Sequence, residues 1–209
     1  MISLWRGDIT KINDVDAIVN ATNSSLIAGG GVDTAIHKAA GPKLQIECNT
    51  IGGCKLGEAK ITKAYNLSCK YIIHTVGPRW NIGDEDATKE LLATCYYNSL
   101  KLAVEYDIKS IAFSAISTGL HGFPIHEATR IAVKSVRKFI NDNPDKIEKV
   151  IFVAFDEIIE KAFEMEIEKK NDEIAEVKKE ESRPLRTLSL NPNRQRLARP
   201  QHFGKKRKP

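Results

Sequence analysis

The sequence predicts an α/β fold, a three-layer α/β/α sandwich around a largely parallel sheet. Three observations carry that expectation. Short apolar runs rich in Ile and Val recur up to Phe155 and do not alternate with polar residues, as in strands covered on both faces. Segments of helical period lie between several of the runs. Glycine-rich stretches follow two of the runs and lead into helices, which is how open α/β sheets build ligand crevices at the carboxyl ends of their strands.

In chain order the runs are "ISLWR", "DAIVNA", "AKITKA", "YIIHTV", "SIAFSAI" and "VIFVAF". The first reads as a short edge strand directed against the others. After the second, Val32 to Ala40 form a short helix closed by Gly41, with Pro42 just beyond it. Leu92, Cys95, Ser99, Leu102 and Tyr106 follow one stripe of "ATKELLATCYYNSLKLAVEYD". Ile125, Ala128, Ala132, Val136 and Phe139 do the same in "PIHEATRIAVKSVRKFI", a helix that Pro124 opens at its favoured first position. Beyond Phe155, sparse apolar positions (Ile159, Phe163, Ile167, Ile174, Val177) among dense charge predict a final docked helix fraying into solvent, with a stripe too broken for a coiled coil. From Arg183 onward, prolines, polar residues and charge of one sign predict disorder. The expected division is a globular domain at 1–165, a charged helical extension at 166–182 and a basic tail at 183–209.

The net charge of +5 divides unevenly. Nine Lys or Arg and no acid fall in residues 183–209, and subtracting nine from +5 leaves −4 on the first 182 residues. Basicity therefore belongs to the tail and says little about the domain's ligand. Cys48, Cys54, Cys69 and Cys95 are scattered without a CxxC pair, which favours incidental thiols in a reducing compartment over disulfides or zinc ligands. No apolar run is long enough to span a bilayer, and "MISLWRGDIT" lacks the features of a signal peptide. The expectation is an intracellular protein, cytoplasmic or nuclear, without a membrane partner.

The stretch "NATNSSLIAGGGVDTAIHKAAG" concentrates the chemistry. Asn20 ends a strand, and Gly29, Gly30 and Gly31 form the entry of the helix that begins at Val32. Glycines let the backbone approach a ligand and aim N–H groups at it, while the positive helix end favours phosphate. The spacing is not that of the GxGxxG dinucleotide fingerprint, and a glycine-rich turn without a ligand satisfies it equally. A second strand end, "SIAFSAISTGLHGFP", also passes through glycines (Gly119, Gly122) into a helix. Two cradles on one crevice suit two adjacent phosphates; two unrelated tight turns are the alternative. Asp33 and His37 are four apart and share a helix face, either as a surface ion pair complementing the helix dipole or as a base with a supporting imidazole. A carboxylate beside an anion site weakens anion binding, so its presence there points to water activation.

Six ordered blocks, "GDIT", "DAIVNATNSSL", "GGGVDTAIHKAAG", "GEAKITKAYNL", "YIIHTVGP" and "ISTGLHGFP", resemble a macrodomain of the MacroD type over roughly residues 2–165. The resemblance implies a mixed, largely parallel six-stranded sheet and an ADP-ribose pocket. It implies a metal-independent hydrolase without cofactor that removes single ADP-ribose units from acidic side chains of proteins and deacetylates O-acetyl-ADP-ribose. By matching position, Asp8 and the Ile9 backbone would recognise adenine, and Phe155 would flank it. Gly29, Gly30, Gly31 and Val32, with Ser117, Thr118, Gly119, Leu120, His121 and Gly122, would wrap the diphosphate. Asn20, Asn23, Asp33 and His37 would surround the distal ribose and the scissile ester.

Each assignment has a plainer counterpart. Asp8 can simply cap the turn at "ITKI", Phe155 can be core, and Asn20 can satisfy strand-end backbone groups. His74 reads as a buried, hydrogen-bonded histidine and Trp80 as loop packing. His121 stands where the family usually has Phe or Tyr, and Leu120 where it has Val or Ile; Phe123 is a second candidate for the missing ring. Rival functions are a non-catalytic ADP-ribose reader and an ADP-ribose 1″-phosphate phosphatase. The tail motif "GKKRKP" is either an address, recognised by RNA or an import receptor, or a solvated charge run. The partners expected are ADP-ribose and mono-ADP-ribosylated proteins, bound by a monomer.

Overall fold

All six apolar runs form strands of a single sheet: β1 (Ile2–Arg6), β2 (Ala17–Ala21), β3 (Ala59–Lys63), β4 (Tyr71–Thr75), β5 (Ser110–Ser114) and β6 (Lys149–Ala154). The structure, a computed structural model, describes residues 1–80 and 84–169. Five α-helices complete that part of the chain: α1 (Val32–Ala40), α2 (Pro42–Ile51), α3 (Glu85–Glu105), α4 (Ile125–Asp142) and α5 (Glu157–Glu168). The strand order is β1-β6-β5-β2-β4-β3.

Alternate strand residues serve two cores, one on each face. Ala17, Val19, Ile73, Ile111, Phe113, Val150 and Phe152 join the core beneath α3, α4 and α5. Ile18, Ile72, Ala112, Ile151 and Val153 join the core beneath α1 and α2. This double covering is why the runs carry no polar alternation.

The edge strand expected to run against the sheet does not. β1 lies parallel to β6, with Leu4 opposite Phe152, and the antiparallel edge is β3, with Ile61 opposite Ile73 of β4. The reason is the link: only residues 64–70 join β3 to β4. A parallel crossover needs about a dozen residues or more, so this connection can only reverse the chain. It does so with Tyr65 in the left-handed region and a closing bond from Ala64 N to Lys70 O at 3.1 Å.

Helix details shift in two places. Pro42, read as a stop, is also a start: Gly41 donates its N–H to His37 O, ending α1, and Pro42 opens α2. In α3, Leu92, Cys95 and Ser99 are buried as expected, but Leu102 is half-buried and Tyr106 exposed, while Tyr96, Leu100 and Ala103 are buried. α3 packs on α4 as well as on the sheet, so its buried face is wider than one stripe. α5 ends at Glu168, within the expected charged helical extension. The remainder of the charged extension and the basic tail lie outside the described residues. All four cysteines are free, and burial pushes the Cys48, Cys54 and Cys95 thiols up to about 11, out of the reactive range. Among the described residues no helix is long and apolar enough to cross a membrane.

Asp16 fixes the register at the amino ends of the central strands. Its carboxylate accepts from Lys109 N (3.1 Å), Ser110 N (3.0 Å), Ser110 Oγ (2.8 Å) and Lys70 Nζ (3.0 Å). Burial alone would raise its pKa, but these donors outweigh it and bring the carboxyl down to about 2. The folded pKa lies below the unfolded one, so the stabilisation is complete above the ordinary carboxylate value and fades as pH falls through about 2. Asp16→Asn should cost about 2 kcal/mol in urea unfolding at pH 7, and the gap from wild type should shrink as pH falls from 4 towards 2. A gap independent of pH would contradict this account.

Candidate functional site

Asp33 is 2 % exposed, held by hydrogen bonds at both of its oxygens. Its position follows from α1, which turns one face to the sheet and buries Asp33, Ile36, His37 and Ala40. Asn20 comes from β2 directly beneath, where its Nδ2 donates to Asp33 Oδ1 at 2.6 Å. The second proton of the same amide goes to His74 Nδ1 at 3.1 Å. Asn20 and His74 are paired residues of β2 and β4, so they share a face. Since Nδ1 receives a proton, the neutral ring carries its own on Nε2 and donates it to Thr62 Oγ1 at 2.9 Å. Burial, with a smaller contribution from His37, pushes His74 down to about 3.

The surface ion-pair reading of Asp33 and His37 is therefore overturned: both are buried. His37 Nε2 lies 3.5 Å from Asp33 Oδ1, too long for a good hydrogen bond, and has no hydrogen-bond partner among the described residues. Asn20 does not serve strand-end backbone; it reaches the site from behind, through Asp33.

Asp33 Oδ2 accepts the Gly29 N–H at 2.8 Å, and the Thr34 hydroxyl donates to Gly29 O. The carboxylate thus shapes the glycine loop instead of capping its own helix, which has no side-chain cap. The first-turn amides of α1 are left without a side-chain acceptor, as an anion cradle requires. Gly31 sits at φ 63°, ψ −133°, a conformation that only glycine adopts freely. Gln45 of α2 straps the same loop, accepting from Ala28 N and donating to Leu26 O, both at 3.0 Å. Asn23 holds it from the other side, donating to Ile27 O at 2.6 Å and accepting from Ser25 N at 3.1 Å.

The second loop, residues 117–123, closes on itself through Gly122 N to Gly119 O (2.9 Å) and Phe123 N to Ser117 O (3.0 Å). Those bonds leave the amides of Gly119, Leu120 and His121 out of the closure. The two loops meet, because a Cβ placed on Gly30 would come within 2.6 Å of Leu120 Cδ1. A third strand end joins them: Trp80 N donates to His121 O at 2.9 Å, and the Trp80 ring packs on Phe123 at 4.7 Å. Phe123 is buried beneath Trp80, so it does not supply the ring that His121 lacks. Instead His121 itself faces the crevice.

Two cavities share this crevice. The first, about 300 Å³, is walled by Asn23, Asp33, Gly29 to Val32 and the second loop. The second, about 470 Å³, holds Asp8, Ile9 and Phe155, with Gly31, Val32, Ala115 and Gly119 common to both. Asp8 does cap the turn at Ile9–Lys11, but only through Oδ1, which accepts from Thr10 N and Thr10 Oγ1. Phe155 is 79 % exposed at the end of β6, which excludes the core reading. Thr118 lines the second cavity. Gly122 turns the second loop at φ 65° without lining either cavity.

Sequence reasoning missed Gly77, Arg79 and Thr22 in the wall of the first cavity. Gly77 and Arg79 follow β4, whose carboxyl end faces the same crevice as those of β2 and β5; extending the strand-end rule to "YIIHTVGP" would have found them. A Cβ on Gly77 would lie 2.2 Å from Ser117 Oγ and 2.6 Å from Ile116 Cγ2, so the two loops are in contact there. Ser117 holds φ at 67°, an uncommon conformation for a residue with a side chain. Among the described residues no cluster of three His, Cys, Asp or Glu is placed to hold a metal ion.

A model of the Macro domain family matches residues 19–132. A macro domain-containing protein of Chlorobaculum tepidum is 54% identical over 155 residues, covering 74% of this chain and 88% of that one. The ADP-ribose glycohydrolase MACROD2 of Xenopus laevis is 51% identical over 157 residues, 75% of this chain but only 37% of the relative. A Trypanosoma brucei macrodomain solved with ADP-ribose superposes with a TM-score of 0.74 at 42% identity, covering 79% of this chain and 68% of that one.

The His74 environment makes folding depend on pH. A folded pKa of about 3 lies below the ordinary value of 6.5, so the unfolded chain binds the extra proton and stability falls as pH drops below 6.5. Unfolding free energy should lose about 1.4 kcal/mol per pH unit from this group between pH 6 and pH 4. In His74→Asn that component should vanish. Equal pH slopes in the two proteins would contradict a neutral, buried His74.

Proposed function

The chain belongs to the macrodomain family, and from that premise we propose that it hydrolyses the ester joining the distal ribose of ADP-ribose to a protein carboxyl group, and that it deacetylates O-acetyl-ADP-ribose. The observation that carries the reading is the pairing of two backbone-amide loops with a buried, oriented carboxylate in one crevice. Adenine would enter the second cavity against Phe155, with Asp8 accepting from its amino group. The diphosphate would take the amides of α1 and of the second loop.

Asp33 is then the base. Each of its oxygens already accepts one hydrogen bond, and a carboxylate offers about four acceptor sites, so it can still take a proton donor from the crevice. It would orient water and withdraw its proton, directly or through a phosphate oxygen of the ligand. Water adds across the ester; the ribose oxygen leaves as a hydroxyl and the carboxyl is freed, so no other reactant is consumed. Asn20 and His37 act on Asp33 and are positioning residues, whereas Asn23 stands in the cavity wall where the ribose hydroxyls would lie. Positioning of this kind contributes on the order of 7–11 kcal/mol in favourable cases. We place the reaction in the cytoplasm or nucleus, with the basic tail as an address for RNA or an import receptor.

The test is release of ADP-ribose from a glutamate-conjugated protein. Wild type should turn the conjugate over, and Asp33→Ala should lower the rate about 100-fold or more. An undiminished rate in the variant would remove Asp33 from the chemistry. Binding of ADP-ribose without turnover by wild type would make the protein a reader. Independently, Gly77→Ala should displace the Ser117 loop and weaken ADP-ribose binding about tenfold by calorimetry, at a cost in stability of about 1–3 kcal/mol. Unchanged affinity would place the diphosphate away from that loop.

A further inference from the structure

A third cavity, about 380 Å³, continues the first beyond Asn23 and Gly77. It shares those two residues, Arg79 and His121 with the first cavity and is otherwise walled mainly by Leu56, Val76, Pro78, Thr88 and Leu91. The three cavities follow one another along the carboxyl ends of the strands, from β6 past β5 and β2 to β4. If the adenosine end occupies the second cavity and the diphosphate the glycine loops, whatever is esterified to the distal ribose points into the third. That cavity can take a side chain with its adjoining backbone. Among the described residues no acid lines it, and Arg79 and His121 are its ionisable groups.

Arg79 is well placed to read a charge. It is exposed and, among the described residues, makes no hydrogen bond or ion pair. The backbone on either side of it is anchored: Pro78 is buried, and Trp80 is held to the second loop by its N–H and its ring. The acids at the start of α3 are already engaged: Asp84 caps the helix, and Glu85 and Asp86 each lie 3.7 Å from Lys89. A guanidinium on a fixed loop suits a carboxylate, which it can grip with two parallel bonds. We propose that the third cavity is the polypeptide-side subsite of the enzyme and that Arg79 selects acidic segments, pairing with a second carboxylate beside the modified residue. This rests on the orientation of ADP-ribose given above.

The experiment uses the full chain and three probes: ADP-ribose, and two peptides carrying ADP-ribose through a hydrolysis-resistant bond, one flanked by glutamates and one by glutamines. Wild type should bind the glutamate-flanked conjugate about fivefold more tightly than the glutamine-flanked one, with the preference weakening as salt is raised. Arg79→Gln should abolish the preference and Arg79→Glu should reverse it. Leu91→Glu, at a residue that lines the third cavity and neither of the other two, should weaken the glutamate-flanked conjugate while leaving ADP-ribose affinity within twofold. Equal binding of the two conjugates to wild type, or a preference that survives Arg79→Gln, would overturn the proposal. A wild type that keeps the preference but releases no ADP-ribose from the ester would remove the hydrolytic reading and leave this subsite standing. Failure to bind ADP-ribose at all would remove both.

Discussion

A charged carboxylate buried at the end of a sheet is costly unless donors surround it, and the site is organised around meeting that demand for Asp33. Asn20 supplies an N–H from below and Gly29 supplies one from the loop. Because the Gly29 bond shapes the loop, the same interaction that keeps the acid buried also builds the anion cradle. The Asn20 amide is itself oriented by His74, whose proton is fixed by Thr62. Three strands thus take part in aiming one carboxylate: β2, β4 and β3. The chain of bonds needs a neutral imidazole, and complete burial keeps it neutral.

The crevice is assembled from the loops that follow neighbouring strands of the sheet. Gln45 and Asn23 strap the first loop, Leu120 leans on Gly30, and Trp80 joins the β4 end to the second loop. Close backbone approach at Gly30 and Gly77 makes these contacts feasible, since any side chain there would meet the opposite loop. The crevice walls therefore support one another, and a change at one strand end is felt at the next. Positioning of this kind is what the hydrolysis proposed above would need from a scaffold.

Charge is distributed along the crevice. Carboxylates of Asp8 and Asp156 stand at the Phe155 end, uncapped amides in the middle, and Arg79 with His121 at the far end. Such a gradient suits the ligand orientation proposed above, with the amino-bearing base at the Phe155 end and the peptide at the Arg79 end. His121 lines the crevice at its Arg79 end and takes no part in the hydrogen bonds that hold Asp33.

Local signals determined most of the fold. Unbroken apolar runs gave every strand, because burial on both faces removes alternation whatever the strand order, and Val32 to Ala40 was legible from its glycine entry and its Gly41 stop. The glycine cradles and Asp33 with His37 were legible as candidates for the same reason, since backbone needs and residue chemistry are written locally, whereas Asp8 and Phe155 were named only through the family resemblance. Tertiary structure alone decided the rest. The direction of β1 and β3 depended on which strands they paired with, and α2 was hidden because Leu44 and Cys48 are its only buried apolar anchors. That Asn20 serves Asp33, that Phe123 lies under Trp80, and that Gly77 and Arg79 belong to the crevice all follow from residues distant in the chain meeting at strand ends. A sequence records what each residue can do; which partner it does it with is fixed only when the sheet brings β4 beside β2.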